Sequence, residues 1–338
     1  MRESRRSAGG STGGVALARL EFREKLVSGN LSRPLGSKEV SSRLERLFSE
    51  LKTLEQEETE LSTLSGVASE LLSASLVGSK DGEVRALAAC CVAELLRIHA
   101  PDAPYADDQL RSVFTLFLKQ LQMVADAQAP HAHLHQHLLL SLAAVKSPLL
   151  LVGLGADDLI QRLFGLAFDV AGVNPPKAVR AALLDILLAL VDELAGLPLS
   201  LTELVLRHFT PPATSAQTAL AVSLCSGAID VFQRCVCQYF SDVIIGASHD
   251  DHPDADADLR TAHALILALF DAVPQLLLNV VPQLEEELKV LLLSYFFLSP
   301  SFRLFCLFLY LGRLLCLDLP LHRSSPLDTI PAFTPELI

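Results

Sequence analysis

Val84-Arg85-Ala86-Leu87-Ala88-Ala89-Cys90-Cys91-Val92-Ala93-Glu94-Leu95-Leu96-Arg97-Ile98-His99 is followed at once by Ala100-Pro101-Asp102-Ala103-Pro104-Tyr105. Within it Val84, Leu87, Ala88, Cys91, Leu95 and Ile98 recur at i, i+3, i+4, i+7 spacing, which puts them on one stripe of an α-helix. Pro101 ends that helix, because the residue before a proline is pushed out of the α region. Asp107 is placed to cap the next helix. There Leu110, Val113, Phe114, Phe117, Leu121 and Val124 repeat the stripe. In 177–195, Val179, Leu183, Ile186, Leu187, Leu190 and Leu194 do so again. The opening Val84-Arg85-Ala86-Leu87-Ala88-Ala89 resembles Val179-Arg180-Ala181-Ala182-Leu183-Leu184, 95 residues further on. That separation is near twice the roughly 40–47-residue period of HEAT repeats.

Helical periodicity also runs through segments near 41–60, 66–77, 130–146, 156–171, 199–209, 213–240, 257–272 and 274–289. The breakers between them are short: Asn174-Pro175-Pro176, Leu197-Pro198, Thr210-Pro211-Pro212 and His252-Pro253. No strand alternation is evident. A helix pair of this size buries little alone, so stacking must supply the core. The sequence therefore predicts an all-α fold, a HEAT-repeat α-solenoid in which antiparallel helix pairs stack into a right-handed superhelix. An irregular helical bundle is the other reading that composition allows. Three regions follow: a disordered basic, Gly/Ser-rich N-terminal tail (1–37), the solenoid (38–289), and an atypical hydrophobic then irregular tail (290–338).

The chain has 338 residues, 51% hydrophobic and 20% charged. That is enough apolar content for a real core and too little charge for general disorder. Its net charge of −12 is uneven. Residues 1–46 carry ten Lys/Arg and five Glu; the rest carries 17 basic and 34 acidic side chains. So acidic a body repels phosphate, which disfavours direct nucleic-acid binding. The seven cysteines form no CxxC pair and follow no signal peptide, consistent with reduced intracellular thiols. An Arg- and Ser-rich start also suits a mitochondrial transit peptide, but Glu3, Glu21 and Glu24 count against it.

The candidate chemistry is sparse. His131, His133, His135 and His137 include i, i+4 pairs that could ligate a metal. No Glu follows as in H-E-x-x-H and no Cys is near in sequence, so a polar helix start is the better reading. Asp254, Asp256 and Asp258 imitate a calcium loop, but Leu259 and Leu265 stand where it needs Gly and Glu. Gly153-Leu154-Gly155 is half a dinucleotide fingerprint with Asp158 in place of the third glycine, and reads as a turn. Cys90-Cys91 and Cys235-x-Cys237 read as buried thiols. No cofactor, metal site or catalytic residue is predicted, and the chain is not read as an enzyme. The candidate surface is Ala100, Pro101, Asp102, Ala103, Pro104 and Tyr105. Its prolines lower the entropy lost on binding. Tyr105 offers an amphipathic contact, and Asp102 a charge for a basic partner group.

This stretch, from Val84 to Tyr105, strongly resembles the cohesin-associated sister chromatid cohesion regulators, the "precocious dissociation of sisters" family. Leu138-Leu139-Leu140-Ser141-Leu142-Ala143-Ala144-Val145-Lys146-Ser147 and Pro274-Gln275-Leu276-Leu277-Leu278-Asn279-Val280-Val281-Pro282-Gln283-Leu284-Glu285 continue the likeness over roughly 38–289. The resemblance implies a nuclear HEAT-repeat scaffold that binds the kleisin subunit of cohesin and recruits the cohesin-release factor and its antagonists, with chromatin engaged indirectly. It also implies capture of short partner peptides at Ala100–Tyr105. Family members are several times longer. After Lys289 the chain departs from them, so 290–338 is expected to be foreign to the solenoid, as in a translated intron or truncated gene model. Val290–Leu311 tempts a membrane anchor instead, but Pro300 and Arg303 sit near its centre, where an arginine costs about 2.5–3.5 kcal/mol.

Overall fold

A computed structural model describes residues 17–27, 35–126, 128–247, 255–278 and 280. Its helices are α1 (Ser37–Leu51), α2 (Ser65–Leu71), α3 (Ala74–Val77), α4 (Gly82–His99), α5 (Asp107–Leu121), α6 (Ala132–Ala144), α7 (Leu150–Gly153), α8 (Asp157–Gly172), α9 (Lys177–Glu193), α10 (Leu199–Leu206), α11 (Ser215–Gly227), α12 (Ile229–Ala247) and α13 (Ala255–Ala272). Among the described residues the only extended pairing is an isolated bridge between Ala18 and Thr59.

Helices α1, α4, α6 and α9 lie in one row, each packed on the next. They start at residues 37, 82, 132 and 177, intervals of 45, 50 and 45. Helices α5 and α8 form a second row, joined to the first through α4–α5, α5–α6 and α8–α9 contacts, and α11 packs on both α8 and α9. This is the stacked helix pair of a HEAT solenoid. The like-sequenced α4 and α9 stand two steps apart, with α6 between them. Long-range hydrogen bonds carry the same interval. Cys90 Sγ donates to the Leu134 carbonyl, 44 residues on, and Cys91 Sγ to that of Leu44, 47 back. Gln217 Nε2 donates to the Phe168 carbonyl, 49 back. Each bond ties one repeat to its neighbour.

Helix α4 is buried nearly all round, beyond the stripe that its periodicity shows. Ala86, Ala89, Cys90, Val92 and Ala93 are each at most 1% exposed. A helix in the middle of a row is covered by α1, α6 and α5 at once, and small side chains let these neighbours approach. Its N-terminus is capped by Asp81, which accepts from the Glu83 amide at 2.9 Å.

Several predicted features differ. Asp107 is the first helical residue of α5, not its cap. The cap position is Ala106, whose amide donates to Gln109 Oε1 at 3.0 Å. Asp107 and Asp108 instead place negative charge against the positive end of the helix. The segment 41–60 is helical only to Leu51. The segment 213–240 is two helices, bent by 108° at Ala228. Residues 17–27, predicted within a disordered arm, pack against α1 and α2, because Leu20 and Leu26 find apolar cover at 8% and 1% exposure. The tail 290–338, with its candidate anchor 290–311, lies outside the described residues, as does the start of the arm. Among the described residues no single helix is long and apolar enough to cross a membrane.

Candidate peptide-binding cleft

The loop after α4 presents Pro101 and Asp102 to solvent, leaves Ala103 and Pro104 half-buried, and buries Tyr105. The Ala100–Pro101 peptide bond is cis. The Ala100 carbonyl accepts from Gln56 Nε2 of the preceding repeat. Tyr105, expected to face a partner, is only 9% exposed, and its ring belongs to the core. Burial pushes its phenol well above the usual range, and no partner reaches its hydroxyl among the described residues. Tyr105 therefore anchors the loop, while Pro101 and Asp102 form its outer edge.

This edge borders a cleft of about 430 Å³. Leu96, Leu110, Leu149, Leu150 and Leu154 give it an apolar floor. Asp102, Asp107, Glu193 and Lys146 line it with charge, and all four are exposed. Ser147 is 6% exposed and its hydroxyl has no partner among the described residues. Lys146 has a left-handed backbone, φ 54°, which turns the chain sharply after α6.

The cleft follows from the repeat. Ala100, Lys146 and Glu193 are 46 and 47 residues apart, at the C-terminal ends of α4, α6 and α9. Helix C-termini carry partial negative charge, and three carboxylates add to it. The arrangement suits a short peptide with an apolar side chain for the floor and a cation for the carboxylate rim. Lys146 and Ser147 stand in the family-like stretch, outside the Ala100–Tyr105 segment that the sequence marks. Their signal is the one-repeat offset from Ala100.

A polar network joins three helices of the row. Glu94, with its side chain 3% exposed, accepts from Arg97 Nε at 2.6 Å and from His137 Nε2 at 2.8 Å. Arg97 also donates to the Leu51 and Leu54 carbonyls at 3.0 and 2.8 Å. Burial pushes the Glu94 carboxyl up, but the bonds from His137 and Arg97 and the guanidinium charge outweigh it, and the net shift is downward. The network links the end of α1 to α4 and α6.

The histidine run is dispersed. His131 faces Glu83 at 3.5 Å, His133 is exposed, His135 is buried, and His137 joins Glu94. Burial and the neighbouring His131 and His133 push the His135 imidazole below its usual range. Among the described residues no three His, Cys, Asp or Glu side chains gather as a metal would need. Cys90, Cys91, Cys225 and Cys237 are buried; burial pushes the Cys90 thiol to about 12 and that of Cys237 to about 11. Gly155 has φ 56° and completes a turn between α7 and α8. Asp254 and the side chains of Asp256 and Asp258 lie outside the described residues.

The sequence profile of the family described as "Sister chromatid cohesion protein PDS5 protein" matches residues 38–292. The chain belongs to that family. It is 31% identical over 293 residues to Sister chromatid cohesion protein pds5 of Schizosaccharomyces pombe, covering 81% of this chain and 24% of that protein. It is 29% identical over 294 residues to PDS5 of Saccharomyces cerevisiae, covering 81% and 22%. It is 29% identical over 278 residues to PDS5 homolog A of Homo sapiens, covering 77% and 20%. Among solved structures it matches a chain from "Structure of the Pds5-Scc1 complex and implications for cohesin function" with a TM-score of 0.73 and 27% identity. That match covers 82% of this chain and 42% of the other. The chain thus spans a fifth to a quarter of the length of these PDS5 relatives. The match to 38–292 takes in the cleft and all of the helical row.

Proposed function

We propose that this chain is the N-terminal HEAT portion of a PDS5-type cohesin regulator and works in the nucleus as a scaffold without covalent chemistry. It tunes sister chromatid cohesion and cohesin release by contacting the kleisin and by holding short peptides of release and maintenance factors. The cohesin assignment rests on the family, and on a solved relative described as a Pds5–Scc1 complex. Peptide capture rests on one observation: the Ala100–Tyr105 loop borders a cleft with a leucine floor and a mostly acidic rim. An apolar side chain and a cation from one short peptide fit it together.

The test is a pull-down of cohesin subunits and the release factor by the chain, beside Asp102→Lys and Glu193→Lys variants. Both positions are exposed, so the variants keep their helical spectrum and melting temperature. Capture of release-factor peptide falls at least tenfold in each. Undiminished capture by both folded variants refutes the cleft as the site.

A further inference from the structure

The docking of residues 17–27 has a pattern of its own. Arg19-Leu20 and Lys25-Leu26 repeat a cation–leucine pair six residues apart. Arg19 meets Glu60 at 2.6 Å, and the Leu20 amide donates to Thr63 Oγ1 at 3.3 Å. Lys25 meets Glu70 at 2.7 Å, and the Leu26 amide donates to the other oxygen of Glu70 at 2.8 Å. Both leucines are buried. Between these prongs, the Glu21 and Phe22 amides both donate to Glu50 Oε1. At one end, the Ala18 amide and carbonyl pair with the backbone of Glu58 and Glu60 at 2.6 and 2.8 Å. The receiving residues belong to α1, to α2 and to the loop between them. They bind backbone amides as well as side chains, and the convergence of the successive Glu21 and Phe22 amides on one carboxylate oxygen shows that the segment turns there.

We infer that this face is a second peptide-binding surface, occupied in cis by residues 17–27, and that its ligand class is a segment with two cation–leucine pairs six residues apart. Residues 17–27 are then an internal ligand. Glu60 and Glu70 read the cations, Glu50 and Glu70 the backbone, and the groove the two leucines. The inference does not depend on the proposed function and involves no residue of the cleft.

The test uses the full chain and a fluorescent peptide of residues 16–27. By amide hydrogen exchange, Phe22 and Leu26 exchange at least tenfold more slowly in the chain than in the free peptide. The Glu50→Ala/Glu70→Ala variant loses this protection while α4 keeps its own. A Leu26→Asp chain, with its own segment released, binds the added peptide at least tenfold more tightly than the unaltered chain does, and a Leu26→Asp peptide does not bind. Free-peptide exchange rates at Phe22 and Leu26 in the unaltered chain overturn the inference. So does equal binding of the native and Leu26→Asp peptides to the released chain.

Discussion

Replacing Glu94 by Gln changes no volume and tests whether the buried network holds α1, α4 and α6 in register. The carboxylate accepts a short hydrogen bond at each oxygen, from Arg97 and His137, and a longer one from Ser141 Oγ at 3.5 Å. A glutamine can keep only one acceptor oxygen; its NH2 then faces either the guanidinium or the imidazole N–H. At least one charge-assisted bond is lost, worth about 1.5–3 kcal/mol, together with the ion pair. Breaking a fully buried pair costs about 3–5 kcal/mol. Here the Arg97 and His137 side chains are 21% and 29% exposed, so water recovers part of that. The expected loss is about 2–3 kcal/mol at pH 7. Urea unfolding followed by circular dichroism at 222 nm measures it. Acid gives a second check. The folded carboxyl titrates below its unfolded value of about 4.3. Its stabilisation is therefore present above that pH and is lost as pH falls through the folded value. The gap between the unaltered chain and Glu94→Gln must narrow below about pH 4. A loss under about 0.5 kcal/mol at pH 7, or a gap that does not change in acid, refutes the reasoning.

Tyr105→Phe removes a buried hydroxyl that has no partner among the described residues and should leave stability unchanged or raise it by up to about 1 kcal/mol, whereas Tyr105→Ala should cost about 3–5 kcal/mol; thermal unfolding distinguishes them. Gly155→Ala should cost about 1–2 kcal/mol, because Gly155 has a left-handed backbone. Gly153→Ala, in helix α7 with nothing near its missing Cβ, should be neutral or slightly stabilising in the same melt. Under native maleimide labelling read by peptide mass, Cys235 should react first among the described cysteines, being the one not fully buried. Cys90, Cys91 and Cys225 should react only on unfolding.

The row of helices was legible because its apolar positions recur at helical spacing and because α4 and α9 open alike 95 residues apart. That interval is two steps of the row, and the intervening helix was already marked by its own periodicity. The near-complete burial of α4 was less legible, since its alanines and cysteines break the contrast that a stripe needs. The bend at Ala228 was hidden because α11 and α12 are both apolar and no proline separates them. The docked segment 17–27 was missed because it follows an Arg-, Ser- and Gly-rich start and its leucines have no helical period. It is held by glutamates 28–45 residues away in sequence. At the cleft, the loop was named from sequence, but not the inward turn of Tyr105. An amphipathic side chain beside two prolines fits surface and core equally well. Lys146 and Glu193 join Asp102 only through the stacking of successive helix ends, which no local pattern records.

The central claim is that this PDS5-family chain holds partner peptides in the cleft beside Asp102. Photo-crosslinking tests it most directly. A photoreactive residue is placed at Asp102, or at exposed Asp230 as a control, and each chain is irradiated with cohesin and the release factor. The account predicts adducts from position 102 that map to short segments of release or maintenance factors and disappear in a Glu193→Lys background. Adducts of equal yield from both positions, or none from position 102 while the chain still captures the release factor, would contradict it.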